Sequence, residues 1–380
     1  MKKNAVLYTN ALVFLPEKGF SACGFRVENG KFAEIVPPEV REPNAADLGG
    51  AKVIPGLVDI HTHGNSGADF SDGNVDGLKR MAAFLAANGV TSFCPTSMTL
   101  PYETLAAAFA TAACLHEERP CGCARIAGIH MEGPFFSEKK KGAQNGAYLR
   151  RPDFEAFQAL QEGCGGLVSI VDVAPELEGA AEFARKAKEL CTVSVAHTDA
   201  DYEQTRAVYE AGAKHLTHLY NAMPSIHHRK PGVIGAASED EGVYAELICD
   251  GLHVHPSAVR MAFRLFPGRI CLISDALRCC GMPDGEYELG GQQVFLCEGI
   301  ARLADGTIAG AASTLYQDLL NAVAFGIPED EAIRAATCNP AHEIGKENEI
   351  GSIAPGRQAD FLVCEQDLRL REVYIGGEKI

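Results

Sequence analysis

Tryptophan is absent from this sequence of 380 residues, aromatic residues make up only 7% of it, and no apolar run is long enough to span a membrane. The N-terminal segment also lacks the apolar core of a signal peptide. These absences exclude an integral membrane protein and argue against a secreted one. We therefore expect a cytoplasmic protein.

Basic residues are scarce as well, since 34 Lys and Arg stand against 50 Asp and Glu and give a formal net charge of −16. Nucleic acids and anionic membranes bind to basic faces that release counterions, so neither is expected as a partner. A small anion is compatible with this charge, because one local basic cluster, residues 227–230 (HHRK), could serve a single phosphate group.

Paired CxxC spacings, which mark structural zinc sites, are also missing, although the sequence has 14 cysteines. The close pairs are Cys121 with Cys123 and Cys279 with Cys280. In the cytoplasm such scattered thiols stay reduced, and free cysteine is among the most buried residue types. We expect reduced thiols that mostly serve packing.

Short apolar runs alternate with amphipathic stretches over most of the chain. We predict eight strands, which begin near residues 53, 89, 125, 166, 192, 213, 243 and 269. Helical periodicity lies between them, as parallel strands with crossover helices require. The predicted fold class is α/β, with a (β/α)8 TIM barrel over residues 54–344.

The two ends of the chain have a different pattern. Residues 1–53 and 345–380 contain turn signals such as Glu28-Asn29-Gly30 and short alternating runs without a helical period. We predict that these two segments pair into one small β-sandwich domain. Residues 287–310 are predicted to form hairpins inserted after the last barrel strand.

Seven polar residues fall at or just beyond the C-terminal ends of the predicted strands: His61, His63, Glu132, His197, His218, His253 and Asp275. In a (β/α)8 barrel this rim is the active-site face. Buried strands rarely carry so many titratable groups unless the groups are paired or bind a metal. The pattern therefore predicts a catalytic site at this rim.

A metal site is the chemistry that these residue types favour. His61 and His63 point to the same side of a strand, so together they can hold one ion. Glu132, His197 and His218 complete a three-ligand set that leaves a position open for water, as catalytic rather than structural metal sites do. His130 is interpreted as a core histidine or as support for a ligand, and His215 is excluded from the ligand set.

Asp275, at the end of the last predicted strand, is the candidate general base and acid. A metal ion lowers the pKa of a water molecule that it binds, and a neighbouring carboxylate can take the proton and later pass it to the leaving group. An Asx turn at a strand end is the alternative role of Asp275, but it does not explain the six other polar residues on the same rim.

At these residues the sequence resembles the N-acetylglucosamine-6-phosphate deacetylases of the amidohydrolase superfamily. The resemblance runs through nearly the whole chain, and its motifs are PGLVDIHTHG, HMEGPFF, KKGAQN, VAHTDA, THLYNAMPSIHHRKPG, DGLHVHP, SDALRCCGMPDGEYELGG and GSIAPGRQADFLV. It implies hydrolysis of the acetamide of N-acetyl-D-glucosamine 6-phosphate to D-glucosamine 6-phosphate and acetate.

The resemblance also implies a divalent metal, with zinc preferred and iron, cobalt or manganese as alternatives. Glu132, His197 and His218 would bind the principal ion, and Glu132 would take a bridging place. His61 and His63 would add a second site, so that one or two ions bind per subunit.

Substrate contacts follow from the same resemblance. Asn221 and the backbone amide of Ala222 would hold the phosphate, helped by Arg229 from the neighbouring subunit of a homodimer, and His253 would contact the sugar phosphate or its hydroxyls. Gln144 stands where family members often have a histidine, at the position associated with the acetamide, and would orient its carbonyl. The expected partner is thus a small amino-sugar phosphate.

Two other functions are compatible with the barrel and its metal residues. One is a different amidohydrolase reaction, such as cyclic amide hydrolysis or nucleobase deamination, because the fold alone does not fix the substrate. The other is a non-catalytic scaffold of the same superfamily. Dependence of turnover on the phosphate group distinguishes the first, and metal-dependent activity distinguishes the second.

Overall fold

The computed structural model of the protein describes residues 5–380, so residues 1–4 of the predicted terminal segment lie outside the described part. Its strands are, in chain order, β1 (Val6–Leu15), β2 (Gly19–Glu28), β3 (Lys31–Val36), β4 (Ala46–Pro55), β5 (Leu57–Thr62), β6 (Gly64–Asn65), β7 (Ala68–Asp69), β8 (Val90–Pro95), β9 (Arg125–Ile126), β10 (Ile129–Met131), β11 (Val168–Val173), β12 (Thr192–Val195), β13 (His215–Leu216), β14 (Tyr244–Ile248), β15 (Ile270–Ile273), β16 (Gly285–Leu289), β17 (Gln292–Cys297), β18 (Ile300–Leu303), β19 (Ile308–Gly310), β20 (Phe361–Cys364), β21 (Leu370–Ile375) and β22 (Glu378–Lys379).

The helices lie mainly between the barrel strands. They are α1 (Val75–Ala87), α2 (Tyr102–Glu118), α3 (Phe154–Gly163), α4 (Ala180–Ala187), α5 (Tyr202–Ala211), α6 (Gly232–Glu239), α7 (Pro256–Leu265), α8 (Leu315–Ala324), α9 (Glu329–Ala336) and α10 (Cys338–Glu343), with short 3-10 turns at Phe70–Asp72, Glu138–Lys140 and Gly146–Tyr148. Their starts carry sequence signals: Asn74 caps α1, and Asp201 forms a capping box with Gln204 at α5. Within residues 5–380, none of these helices has the length and apolarity needed to cross a membrane.

Parallel strands form the body of the molecule. Six of them pair in the order β10-β11-β12-β13-β14-β15, and β5-β8-β9 form a second parallel group. A parallel bridge between Thr96 and His130 links the two groups at one side. At the other side the Asp275 N–H donates to the His61 carbonyl at 2.9 Å. The α/β prediction is confirmed, and the strands enclose a barrel-like space that is only partly closed by ladder hydrogen bonds.

The barrel strands are buried on both faces. Every residue of β5, β8 and β15 is buried, because helices cover the outside while side chains of neighbouring strands fill the inside. The interior layer includes Val58, Ile60, Ile170, Ile248 and Ile273. This apolar layer supports the polar rim above it.

The two ends of the chain meet in one seven-stranded sheet, in the order β22-β21-β20-β4-β1-β2-β3. Strand β4 lies in the middle, parallel to β1 and antiparallel to β20. The core of this seven-stranded sheet is rich in aromatic rings, and the ring centroids of Phe25 and Phe361 are 5.0 Å apart. The strand β4 runs through Pro55, slightly past the predicted boundary at residue 53, and only Gly56 separates it from β5.

The hairpins predicted for residues 287–310 are confirmed as an antiparallel sheet of strands β16 to β19, which begins at Gly285. Backbone hydrogen bonds tie it to the barrel end, since the Ala311 N–H donates to the Asp275 carbonyl at 2.9 Å. Gln292 of β17 also donates to the Ala143 carbonyl. The insertion therefore packs beside the loop that follows Glu132.

All 14 cysteines are free thiols, and eight of them are buried: Cys23, Cys94, Cys164, Cys249, Cys271, Cys279, Cys280 and Cys364. The adjacent pair Cys279 and Cys280 lies in the interior, and burial raises the pKa of the Cys279 thiol to about 11. Such thiols are unreactive, as a packing role requires. The expectation that most cysteines are buried is confirmed.

Candidate active site

The ends of the barrel strands place the predicted polar residues on one rim. His197, His218 and Asp275 each lie two residues beyond a strand, after β12, β13 and β15. All three have left-handed backbones, with φ values of 41°, 30° and 47°. This conformation is rare for residues with a side chain and marks strain that the surrounding structure holds in place. The strands thus end in turns that aim these side chains inward.

Glu132, His197 and His218 converge on one point. Oε1 of Glu132 lies 3.1 Å from Nε2 of His197 and 3.1 Å from Nε2 of His218, and the two Nε2 atoms are also 3.1 Å apart. All three residues are buried. Two imidazole nitrogens and a carboxylate oxygen at one point form a ligand set suited to a divalent transition metal.

His61 and His63 form a second group on the other side of the same carboxylate. Nε2 of His61 lies 3.6 Å from Oε1 of Glu132, and Nε2 of His63 lies 3.6 Å from Oε2. The ligand atoms within each group lie within 4.8 Å of one another, close enough to hold one ion, and both groups share Glu132. The geometry is that of two adjacent ligand sets with one carboxylate between them.

Hydrogen bonds at the far side of the rings fix their orientation. Nδ1 of His197 donates to the Lys140 carbonyl at 2.9 Å, and Nδ1 of His63 donates to the Thr96 carbonyl at 3.2 Å. A carbonyl only accepts, so in the neutral rings the Nε2 lone pairs point at the oxygens of Glu132. Lone pairs facing a carboxylate repel each other unless a proton or a cation lies between them. The residues present therefore fit a divalent metal.

The carboxylates of the site strongly perturb the ring pKa values. Burial would lower the pKa of His218, but the hydrogen bond and charge of Glu132 raise it to about 9. Burial acts in the same direction on His63, where Asp275 and Glu132 raise the pKa to about 9. Burial favours the neutral form of Glu132, yet His197 and His218 hold its pKa well below the usual range. In the metal-free protein, the raised pKa values of His63 and His218 favour the protonated form of these two rings.

Metal binding is accordingly expected to release protons at neutral pH. At a pH below the pKa of about 9, the rings of His63 and His218 carry a second proton. This proton must leave before Nε2 can bind a metal. The affinity should rise by about tenfold per pH unit for each proton released. Titration of metal-free protein with Zn²⁺ between pH 6 and 8, with a proton indicator, measures both quantities. An affinity independent of pH in this range would contradict the expectation.

Asp275 lies beside the second group of histidines. Its Oδ1 is 3.2 Å from Nε2 of His63 and 3.5 Å from Nε2 of His61. Burial would raise the pKa of Asp275, but the charges of these two rings and the hydrogen bond with His63 lower it. A buried carboxylate that remains ionised next to a metal-ligand set can accept a proton from water.

A cavity of about 210 Å³ opens above these residues. Its lining includes the polar residues His63, Glu132, Gln144, His197, His218, Asn221, His253, Asp275 and Thr307, together with Ala222. His253 is held by Asp250, whose Oδ2 lies 2.7 Å from Nδ1. The structure thus brings four of the five predicted ligands, Asp275 and most of the predicted substrate contacts to one cavity, and His61 lies beneath it, beside Glu132.

Asn221 and Ala222 lie at the outer side of this cavity, in the turn after β13. Ala222 has a left-handed backbone with φ of 52°, and its carbonyl accepts from the Thr198 N–H at 3.0 Å. Within residues 5–380 its own N–H donates no hydrogen bond. The free N–H of Ala222 is a donor suited to an anion, while the amide nitrogen of Asn221 beside it donates to the carbonyls of His218 and Leu219 at 3.3 and 3.4 Å.

Arg229 is not brought into this cavity. It lies on an exposed loop, where Nη1 is 2.7 Å from Nε2 of His228. The site of its own chain is therefore formed without Arg229. The predicted contact from a neighbouring subunit is compatible with this exposed position.

Gln144 has its amide engaged at both ends. Its Nε2 donates to Oε2 of Glu132, and its Oε1 accepts from the Thr99 N–H at 2.7 Å. The side chain therefore orients Glu132 directly. The predicted contact with an acetamide carbonyl remains a prediction.

Several buried charged groups beneath the rim were not singled out from the sequence. Glu246 and Asp172 lie inside β14 and β11, and Glu343 lies in α10. His215, excluded as a ligand, contacts Glu246 and Glu343, and His130 contacts Asp172. A carboxylate within a strand that is apolar on both faces, such as Tyr244–Ile248, is the signal that could have identified them.

A model of the amidohydrolase family matches residues 52–380. The chain belongs to this family.

Its relatives within the family include proteins named as deacetylases of N-acetylated amino-sugar phosphates. N-acetylglucosamine-6-phosphate deacetylase of Bacillus subtilis is 37% identical over 350 residues, which cover 90% of this chain and 88% of that protein. N-acetylgalactosamine-6-phosphate deacetylase of Escherichia coli is 35% identical over 357 residues, which cover 93% of each. The structure of a mutant N-acetyl-D-glucosamine-6-phosphate deacetylase from Mycobacterium smegmatis, in complex with N-acetyl-D-glucosamine-6-phosphate, is similar with a TM-score of 0.93, 33% identity and 99% coverage of both chains.

Proposed function

We propose that this protein hydrolyses the acetamide of N-acetyl-D-glucosamine 6-phosphate to D-glucosamine 6-phosphate and acetate. The observation that carries the proposal is one cavity in which the Glu132, His197 and His218 group, the Asp275 carboxylate and an anion-compatible turn all meet. The relatives that bear this activity in their names support the choice of substrate.

We also propose a division of the chain into two domains. Residues 54–344 would form the (β/α)8 barrel, and residues 1–53 with 345–380 the small β-sandwich. The parallel strand order and the single sheet shared by both chain ends support this division. The site then lies at the C-terminal rim of the barrel, where such enzymes place their catalytic groups.

Glu132, His197 and His218 would hold the principal divalent ion, which we propose is zinc, with iron, cobalt or manganese as alternatives. Such an ion would polarise the amide carbonyl and lower the pKa of a water molecule. His61 and His63 would hold a second ion, with Glu132 between the two sites. The shared position of Glu132 in both ligand groups supports this assignment.

Asp275 would move the proton. It takes a proton from the water that attacks the carbonyl carbon, and it gives that proton to the nitrogen as the carbon–nitrogen bond breaks. Acetic acid and a neutral amine result, and the proton of the acid then passes to the amine to give acetate and an ammonium group, so charge and atoms balance. The fixed backbone of Asp275, with its N–H on the His61 carbonyl, holds the carboxylate in place for both transfers.

The phosphate would be held by Asn221 and the Ala222 N–H, at a distance from the reacting bond. Hydrogen bonds to a charged group are strong, and they orient the substrate without touching the acetamide. We propose that Arg229 of a second subunit adds a bidentate contact in a homodimer. Its exposure in the single chain supports that arrangement.

The experiment that tests the function compares phosphorylated and unphosphorylated sugars. We expect kcat/KM for N-acetylglucosamine 6-phosphate to exceed that for N-acetylglucosamine by about 10²- to 10⁴-fold, because two hydrogen bonds to a charged group contribute about 1.5–3 kcal/mol each. Asn221→Ala should reduce this ratio, whereas the exposed matched control Asn348→Ala should not. Equal turnover of both sugars, or turnover of a cyclic amide instead, would contradict the assignment.

N-acetylgalactosamine 6-phosphate is the second candidate substrate. The relative from Escherichia coli named for that sugar is as similar in identity and coverage as those named for the glucosamine compound. The two sugars differ only in the configuration of one hydroxyl. Their kcat/KM values, measured side by side on the same preparation, decide between them.

A further inference from the structure

Glu246 is a fully buried carboxylate beneath the metal-ligand groups. It lies in β14, where it is 0% exposed and its neighbours in the strand are Ala245 and Leu247. Removing an ionised carboxylate from water is costly unless hydrogen bonds and opposite charges compensate. The partners of Glu246 therefore indicate what it does.

One oxygen of Glu246 contacts both ligand groups. Its Oε2 lies 2.9 Å from Nδ1 of His61 and accepts from the backbone N–H of His218 at 3.1 Å. His61 belongs to the second group of ligands and His218 to the first. A single oxygen thus ties together β5 and the turn after β13.

The other oxygen faces His215 at ion-pair distance, without the geometry of a hydrogen bond. Oε1 of Glu246 lies 3.2 Å from Nε2 of His215, and Nδ1 of His215 lies 2.7 Å from Oε2 of Glu343 in α10. His215 thus lies between two carboxylates, hydrogen-bonded to Glu343 and at ion-pair distance from Glu246. The resulting chain, from Glu343 through His215 and Glu246 to His61, is buried along its whole length.

We propose that Glu246 is a positioning residue for the second ion, which acts by fixing the ring and the tautomer of His61. By accepting from Nδ1, Glu246 keeps the hydrogen there and leaves the Nε2 lone pair for the metal. Without it, the ring can turn or place its hydrogen on Nε2, where it blocks metal binding. This inference rests on the proposed metal site. It makes occupancy of the second metal site depend on a residue that contacts neither the metal nor the substrate.

The test uses metal-free full-length protein titrated with Co²⁺, followed by visible absorption and chelator competition. For wild type we expect two equivalents per subunit. In Glu246→Gln, the first equivalent should be weakened less than the second, because Glu132, His197 and His218 remain and Glu246 contacts this group only through the backbone N–H of His218. The second should bind about 10- to 100-fold more weakly, the usual effect of removing a group that supports a metal ligand.

A double-mutant cycle separates positioning from general damage to the core. In a His61→Asn background, Glu246→Gln should have no further effect on the second equivalent, because its influence passes through His61. Glu343→Gln, which leaves the contact between Glu246 and His61 in place, is the matched control and should have a smaller effect. If Glu246→Gln fails to fold, Glu246→Asp, which withdraws the oxygens by one methylene, takes its place.

Two results would overturn the inference. One is an unchanged second equivalent in Glu246→Gln and Glu246→Asp, and the other is wild-type protein that binds only one ion at excess Co²⁺. Neither depends on which substrate is turned over. Failure of the proposed function would instead appear as wild-type protein that binds metal but does not cleave the amide.

Discussion

Replacing Asp275 with asparagine is expected to lower kcat by about 10²- to 10⁴-fold while the metal content stays at the wild-type level. Asparagine has the same shape and retains the backbone hydrogen bond to the His61 carbonyl. It cannot accept a proton from water, and it cannot give one to the departing amine. Steady-state kinetics with N-acetylglucosamine 6-phosphate, combined with elemental analysis of the same sample, measures both quantities.

Asp59→Asn is the matched control for this substitution. Asp59 is another buried carboxylate at the barrel end, and the Ser274 hydroxyl donates to it at 2.6 Å. It also accepts from the backbone N–H groups of His61 and Ser274, and asparagine keeps an oxygen for these contacts, so the same change there should cost less than about tenfold in kcat. An Asp275→Asn protein with full metal and turnover close to wild type would show that another group carries the proton.

The barrel could be predicted because its strands are buried on both faces. Such strands appear in the sequence as short apolar runs, and all eight predicted runs contain a barrel strand. The boundary near Val53 was harder, because β4 of the terminal sheet and β5 form one continuous apolar stretch interrupted only by Gly56. Because both strands are apolar, no change of composition marks the residue at which the terminal sheet ends and the barrel begins.

The convergence of Glu132, His197 and His218 was predictable for a related reason. Parallel strands end at the same rim, so polar residues at strand ends must be neighbours whatever the details of packing. The left-handed backbones of His197 and His218 had no such signal, since neither position is a glycine or an asparagine. Their strain becomes apparent only in the structure.

Contacts across the barrel interior could not be predicted, because they depend on the register between strands. Gln144 illustrates this: its amide spans Glu132 and the Thr99 backbone, two contacts that its motif does not indicate. The link between His61 and Glu246 joins residues 185 positions apart in the sequence. Arg229 lies on an exposed loop outside the cavity, and one sequence gives no distance between such a loop and the site.

The charge of Glu132 is the feature on which both ligand groups depend, and Glu132→Gln is expected to abolish activity through loss of metal. The change keeps the size of the side chain but removes the negative charge that four imidazoles surround, since Nε2 of His61, His63, His197 and His218 all lie within 3.6 Å of its oxygens. Removing a group that only supports a ligand costs about 10- to 100-fold in metal affinity, so loss of this ligand should cost more.

Chelator competition and elemental analysis measure this loss, and Glu176→Gln is the matched control. Glu176 accepts from the Thr198 hydroxyl and from the Asp199 N–H, so it lies beside His197 without facing the ligand groups. The control should therefore keep its metal. In Glu132→Gln the pKa of His218 should also fall, because Glu132 is the group that raises it. A variant that retained wild-type metal affinity would mean that the imidazoles alone hold the ion, and Glu132 would then lose its place between the two sites.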